Sequence, residues 1–381
     1  MLTACKENKT TFSLDDYLYV IDLNKTEFID IKLSKLFESV TPVVLETTKE
    51  SLIGFISKVV TTPEYIIVLD NDISDALFLF RKDGTFLHKF GRVGNGPGEY
   101  ASVYDFCYDS PTGTVYMLDS QSSRVNLYDI HTGSFLKSIK LNREKGLSRH
   151  IYCHIEELYT DLSYFPEGNG YLLNRRNQLT GEIEEAWFDV KKYAKNIDRF
   201  TNNPFLFGDG SSFKFHTRFM DGIMLVEKGK ITPFLTFTPE YTLTEKEVQS
   251  LDLESSNYYE ELYKMNKVYD IFNYFEHKDL LFLQFYLSGG ARTIIYNQKT
   301  KDFKCVNMLF NDLIYKDIDH FTFTKFVTCD DNGMYAWLDG YDLKNGLKKD
   351  IINENFKSKA TDLFNLEEDA NPILLYYEFK D

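Results

Sequence analysis

Two stretches of this sequence can be laid over one another almost without gaps, and that self-similarity limits the fold more than any other feature. Tyr65-Ile66-Ile67-Val68-Leu69-Asp70, Leu77-Phe78-Leu79-Phe80 and Lys82-Asp83-Gly84-Thr85-Phe86-Leu87 are echoed by Thr114-Val115-Tyr116-Met117-Leu118-Asp119, Arg124-Val125-Asn126-Leu127-Tyr128 and His131-Thr132-Gly133-Ser134-Phe135-Leu136. Asp119 follows Asp70 by 49 positions, and Gly133 follows Gly84 by the same 49. A period a little above the ~40–45 residues of familiar propeller blades, built of short strands divided by turns, points to stacked sheets rather than helical repeats. Each unit would be four antiparallel strands that bury one face on the preceding unit and the other on the next, so none is stable alone. Asp83-Gly84 and Thr132-Gly133 supply the residue types that tight hairpins need where φ turns positive.

Later copies are more degenerate but are bounded by turns in the same way. Residues 170–176 and 185–190 mark a third unit, and 213–219, 222–226 and 231–237 a fourth. Residues 268–275, 280–287, 293–296 and 303–308 mark a fifth; 321–329, 334–338 and 373–379 mark a sixth. An early strand, at 28–33 or 43–46, is available to complete the last unit, which removes an exposed sheet edge. The expectation is therefore an all-β fold, a six-bladed β-propeller over residues 12–381 with short helical insertions. Thr244-Glu245-Lys246-Glu247 is a capping box that opens a helical spacing to Lys267, and the charged stretch 341–369 reads as a second insertion.

Composition narrows the partners. Hydrophobic residues at 43%, with 26 Tyr and 32 Phe, suffice for a core between sheets. A net charge of −15 repels phosphate backbones, so nucleic acid is not an expected partner. No apolar run beyond the first few residues approaches the ~18 needed to span a bilayer. Leu2-Thr3-Ala4-Cys5 has the form of a bacterial lipobox, in which the cysteine is acylated and becomes the mature amino terminus. The charged and apolar segments that complete such a signal are expected upstream of Met1, and residues 1–11 read as the lipobox remnant and a flexible tether. Membrane association is then expected through the lipid on Cys5 alone. Cys107, Cys153, Cys305 and Cys329 are too few and too widely spaced for a disulfide scaffold or a CxxC metal site, and are expected as small buried hydrophobes.

One run of residues is similar to a known family. Phe90-Gly91-Arg92-Val93-Gly94-Asn95-Gly96-Pro97-Gly98-Glu99-Tyr100 resembles the GxGxGPGEY signature of six-bladed propeller lipoproteins of gut bacteria, relatives of the NHL repeat. Leu45-Glu46-Thr47, Leu52-Ile53-Gly54 with Ile56 and Lys58, and the ending Asn371-Pro372-Ile373-Leu374 before Phe379-Lys380 fit the same pattern. Lys6-Glu7 resembles the short charged signal that sends such lipoproteins to the outer face. The resemblance spans nearly the whole chain and implies a propeller fold and an envelope location, an outer-membrane lipoprotein either periplasmic or surface-exposed. It implies no assigned activity. The NHL-like kinship also admits a metal-dependent hydrolase or lyase, with calcium held by acids in the central channel.

Among candidate sites, the loop Gly94 to Tyr100 has three glycines but lacks the Lys-Ser/Thr and the following helix of a phosphate-binding loop. A structural turn is expected, with Glu99 accepting backbone hydrogen bonds and Arg92, Asn95, Glu99 and Tyr100 as the ligand-binding candidates of a propeller mouth. His150 and His154 lie on one face whether the segment is strand or helix, but no third metal ligand is identifiable. Asp70-Asn71-Asp72 with Asp75 opens like a calcium loop, yet the glycine is missing and Arg81 occupies the place of the bidentate acid. No Gly-x-Ser-x-Gly elbow or Ser-His-Asp order supports nucleophilic catalysis. The tyrosines and phenylalanines read as core between blades rather than as a sugar platform. The reading is a lipid-anchored binding or protein-interaction module, without cofactor, for an envelope protein or extracellular ligand.

Overall fold

A computed structural model describes residues 6–7, 12–142, 146–155, 157–163, 170–190, 203–208, 211–251, 257–316, 324–338, 350–360, 363 and 370–380. Among the described residues the strands form six sheets of four or five strands and one two-stranded sheet, and the fold is a six-bladed β-propeller. Blade 1 is Lys58–Thr61, Tyr65–Asp70, Ala76–Arg81 and Phe86–Lys89; blade 2 is Asp105–Asp109, Thr114–Asp119, Arg124–Asp129 and Phe135–Lys140. Blade 3 is Ile151–His154, Glu157–Asp161, Tyr171–Arg176 and Ile183–Asp189; blade 4 is Phe205–Gly208, Ser212–Phe215, Gly222–Glu227 and Lys230–Phe237. Blade 5 is Val268–His277, Leu280–Leu287, Gly290–Asn297 and Phe303–Phe310; blade 6 is Phe326–Cys329, Gly333–Leu338, Ile373–Phe379 and Phe37–Val44. The chain divides into two compact units, Met1–Glu27 with Val93–Tyr274 and Phe282–Thr293, and Phe28–Arg92 with Phe275–Leu281 and Ile294–Asp381. Blades 2, 3 and 4 belong to the first unit, blades 1 and 6 to the second, and the strands of blade 5 are shared.

Burial explains the residue pattern. Tyr65–Asp70 and Thr114–Asp119 lie inside their sheets with both faces covered, so they read as unbroken apolar runs and not as an alternation. The fourth strand of blade 2, Phe135–Lys140, is mostly exposed and correspondingly polar. Gly84 takes φ +90 in its hairpin turn, and Gly133 takes φ +67. The Gly84 position also abuts the Val44 carbonyl, which leaves no room for a side chain.

The amino-terminal segment is distributed over several sheets. Lys6–Glu7 adds in parallel to Ile183–Asp189, Tyr19–Ile21 to Lys230–Phe237, and Phe28–Lys32 to Phe303–Phe310. Phe37–Val44 then pairs antiparallel with Ile373–Phe379 and completes blade 6. Of the two early segments expected to complete the last blade, the second is the one used, beginning earlier than its sequence suggested, while 28–32 extends blade 5. The capping box at Thr244 opens a short helix, Glu245–Ser250, followed by a second, Tyr258–Met265. Of the insertion at 341–369, helix Glu354–Lys359 is described. Residues 341–349, 361–362 and 364–369, the start of the sixth-unit strand at 321–323, and Cys5 with most of the expected tether, lie outside the described residues.

One expectation is overturned. Cys107 and Cys153 are not separate buried thiols but a disulfide, with Cα atoms 5.9 Å apart and 46 residues between them. Linear spacing carried no hint of it because the two residues sit on the first strands of neighbouring blades. There the bond is the middle of three matched rungs: Ile151 N–H donates to Asp105 Oδ2 at 2.9 Å and Ile155 N–H to Asp109 Oδ1 at 2.9 Å. Cys305 is a buried free thiol, as expected, and burial pushes its pKa up to about 12.

A buried carboxylate ends the second strand of each of the first three blades. Asp70 accepts from the N–H groups of Gly54, Phe55, Asp72 and Ile73 and from the Ser74 hydroxyl, at 2.7–3.2 Å. Asp119 accepts from Ala101 and Ser122 N–H, both at 2.9 Å, and Asp161 from Arg149 and His150 N–H at 2.8 and 2.9 Å. In blade 4 the place belongs to His216, whose N–H reaches Pro204 O at 3.0 Å much as Asp161 N–H reaches His150 O. Proline has no N–H to give, so an anionic acceptor there would lose the donor that His150 N–H supplies to Asp161. His216 instead joins two blades: Ile271 N–H donates to Nε2 at 3.1 Å, which places the ring proton on Nδ1, 3.0 Å from the Gly222 carbonyl. Beside it Arg218 donates Nε and Nη2 to Asp270 Oδ2 at 3.1 and 2.8 Å, and Nη1 to Tyr258 Oη at 3.3 Å.

Two measurements test this account. Replacing both Cys107 and Cys153 with alanine is expected to lower unfolding free energy by about 2–4 kcal/mol, the usual range for a disulfide; reductant should shift the wild-type denaturation midpoint and leave that of the double variant in place. Burial, reinforced by the Arg218 charge, holds His216 below its ordinary pKa of 6.5 against the opposing pull of Asp270. The folded state therefore binds fewer protons than the unfolded one, so this contribution is complete above about pH 6.5 and is lost as pH falls below it. The denaturation midpoint should drop between pH 6.5 and 5, and His216→Gln should reduce that slope; the buried His277, also held low, retains part of it.

Candidate functional site

The residues picked out as ligand candidates divide into two kinds. The Glu99 carboxylate accepts from Gly96 N–H at 2.7 Å, and its carbonyl accepts from Arg124 Nη2 at 2.8 Å and Asn126 Nδ2 at 3.1 Å. Tyr100 is buried, and Tyr128 Oη donates to the Gly98 carbonyl at 2.9 Å. A side chain at Gly94 would run into the Glu99 carboxylate, which accounts for a glycine there. This loop is a turn fastened to the third strand of blade 2, while Arg92 and Asn95 are exposed.

His150 and His154 do not form a joint metal site. They lie at the two ends of a strand segment, and four residues of strand span about 13 Å. Each is held by its own acid: His150 Nδ1 is 2.7 Å from Asp161 Oδ2, and His154 Nδ1 is 3.5 Å from Asp109 Oδ1. Ser163 Oγ donates to the same Asp161 oxygen, so the acid stands between hydroxyl and imidazole and the serine is not set against a base. Among the described residues no group of three or more His, Cys, Asp or Glu could hold a metal ion.

What the sequence did not single out is an apolar patch on blade 1. Leu52, Phe55 and Ile73 are 48%, 38% and 66% exposed, and Phe55 meets Trp337 of blade 6 edge to face, with ring centroids 5.3 Å apart. A cluster of large exposed apolar side chains on adjoining loops is costly in water, which makes this patch a candidate contact surface. Here the loops are also fixed. Asp70 grips 54–55 from one side and 72–74 from the other, and Ser74 Oγ donates to the Leu52 carbonyl at 2.8 Å. Asn371, itself buried, accepts from Ile53 N–H at 2.8 Å and donates to the carbonyls of Ser51 and Glu46 at 2.7 and 3.0 Å. Burial on its own raises the Asp70 pKa, but the Ile73, Ser74, Phe55 and Gly54 donors outweigh it and hold the carboxyl below its ordinary range. Gly54 must lack a side chain because Ile73 lies across it.

The same clamp carries different cargo elsewhere. By strand register Phe55 and Ile73 correspond in blade 2 to Ser102 and Ser122, and in blade 3 the clamped residues are Arg149, His150 and Ser163. Only blade 1, among these three, uses it to display apolar side chains. The segments 45–58 and 371–374, more than three hundred residues apart, meet at this clamp through Asn371. The signal that could have found the site is Leu52, Phe55 and Ile73 standing next to loop glycine, serine and aspartate, outside the strand pattern.

Comparisons with known proteins agree with the fold. A protein of Bacteroides fragilis NCTC 9343 described as exported superposes with a TM-score of 0.76 at 18% identity, over 95% of this chain and 100% of that one. A member of the DUF4221 family from Bacteroides vulgatus gives a TM-score of 0.51 at 11% identity, over 91% of this chain and 97% of that one. At these identities the likeness speaks for the fold alone. No curated protein matches the sequence. The model of one family does, along nearly its whole length: by its match over residues 18–378, the chain belongs to DUF4934, a domain of unknown function.

Proposed function

We propose that the protein is a cell-envelope binding module, held to a membrane by a lipid on Cys5, which captures an envelope protein or an external ligand on the patch of Leu52, Phe55 and Ile73 beside Trp337. The observation that carries the reading is the expense of that patch. Two buried polar side chains, Asp70 and Asn371, hold Leu52, Phe55 and Ile73 in solvent where a flexible loop would have tucked them in. Rigid display of apolar and aromatic side chains lowers the ordering cost of association and suits binding more than turnover.

Location is supported by independent features. A disulfide between buried strands persists in oxidising compartments and is rare in the cytoplasm. The lipobox at Leu2 to Cys5 and the fold shared with a protein described as exported point the same way, to an outer-membrane lipoprotein, periplasmic or surface-exposed. Among the described residues no helix is long and apolar enough to cross a membrane, so the anchor is the attachment this reading calls for. Kinship with the NHL-like propeller lipoproteins belongs to the same proposal, and rests on the Gly94 to Tyr100 turn and the 45–58 and 371–374 pieces. With a net charge of −15, nucleic acid is not a partner here.

The test is cross-linking in native envelopes, comparing wild type with a Leu52→Asp, Ile73→Asp double variant. A specific adduct present in wild type should weaken about tenfold in the variant, equivalent to ~1.4 kcal/mol, while near-UV dichroism stays unchanged. Adducts equal in both proteins, or turnover of a soluble substrate by the purified protein, would overturn the proposal. Asp70→Asn leaves every patch side chain in place, yet it should cost about 1–3 kcal/mol of stability. It should also accelerate amide exchange at Gly54, Phe55, Asp72 and Ile73 ahead of the sheet and weaken the same adduct.

A further inference from the structure

We infer that the anchored protein meets the bilayer with the end of blade 3 that carries the turns at Ile155 and Leu179. This rests on the lipid at Cys5 proposed above and adds to it which surface lies against the membrane.

The register of the first strand decides the point of attachment. Lys6 pairs with Glu185 and Glu7 with Ala186, in parallel. The amino end of strand Lys6–Glu7 is therefore on the side of the beginning of Ile183–Asp189, where the turn from Asn177 to Glu182 lies. Glu185 is two residues, about 7 Å of strand, from Ile183. Cys5 is one peptide unit, about 3.8 Å between Cα atoms, from Lys6. An acyl chain on Cys5 would thus be joined through a single peptide unit to the strand end that lies on the side of that turn.

The same end of the blade displays apolar side chains that packing does not explain. Leu179, within the 177–182 turn, is 81% exposed, the highest among the large hydrophobic residues described. Ile155, in the adjacent hairpin turn, is 50% exposed and adopts φ +48, a conformation that β-branched residues avoid. Asp109 holds it there by accepting its N–H at 2.9 Å. Gln178 Nε2 donates to the carbonyls of Ile155 and Glu157 at 3.0 and 3.1 Å, so the two turns form one tip. An acyl chain and two apolar side chains at one end of one sheet make a combined interfacial contact. Since the chain carries a net charge of −15, that contact is expected with a zwitterionic lipid surface rather than an anionic one.

The experiment uses the full acylated chain purified from membranes and reconstituted on phosphatidylcholine liposomes, with and without bromine on the lipid acyl chains. A tryptophan reporter is placed by Leu179→Trp or, as the reference, by Ser122→Trp, in the turn between the second and third strands of blade 2 at the opposite end of the sheets in the same unit. Brominated lipid should quench the Leu179→Trp reporter at least twofold more than the Ser122→Trp reporter, after subtracting the wild-type tryptophans. Equal quenching, or stronger quenching at Ser122, overturns this orientation while the anchor stands. An intact mass showing Cys5 without acyl groups overturns the anchor, and the orientation falls with it.

Discussion

A carboxylate buried where a strand ends needs several donors at once, and the backbone around it has to comply. Asp70 shows the consequence most fully: five donors from two separate loops converge on one side chain, so the loops cannot move independently of the sheet. Asp119 and Asp161 repeat the arrangement with fewer or different donors. The clamp thus turns the connection leading into each of these sheets, normally the least ordered part of a blade, into a fixed platform. What a blade can present to a partner depends on which residues happen to ride on it.

Where the clamp is replaced, its logic remains visible. Pro204 offers no N–H, and the residue standing in the acid's place is His216, neutral and committed at both ring nitrogens. A single ring then ties blade 4 to the first strand of blade 5, next to the buried Arg218–Asp270 pair. Blades 2 and 3 are tied by other means, a disulfide between two carboxylate-to-amide rungs at one constant offset of 46 residues. In these two places neighbouring blades are therefore joined by specific polar or covalent contacts. That suits a sheet whose faces are both greasy and would tolerate sliding if packing alone set the register.

For function, the important contrast is between polar groups that are used up and apolar groups that are left out. Asp70, Asp161, Glu99 and Asn371 all spend their hydrogen-bonding capacity on the protein's own backbone or side chains. Leu52, Phe55 and Ile73, by contrast, are held in water by Asp70 and Asn371. A propeller built in this way presents shape and apolar surface, the ingredients of recognition, at positions the fold makes rigid.

Much of the architecture was legible in the chain alone, because strands, tight turns and repeat period are written in neighbouring residues. The apolar runs at 65–70 and 114–119, the turn glycines Gly84 and Gly133, and the inward-turned Glu99 all follow from local pattern and backbone sterics. Four features could be decided only by the tertiary structure: the pairing of Cys107 with Cys153, the meeting of Asn371 with the 46–53 segment, the spreading of residues 6–44 over four sheets, and the exposure of Ile73 beside a buried Asp70. Each depends on which distant strands become neighbours, and linear spacing does not encode that distance. A leucine or isoleucine reads as core in any sequence; only the folded chain reveals that a carboxylate beneath it is holding it out in solvent.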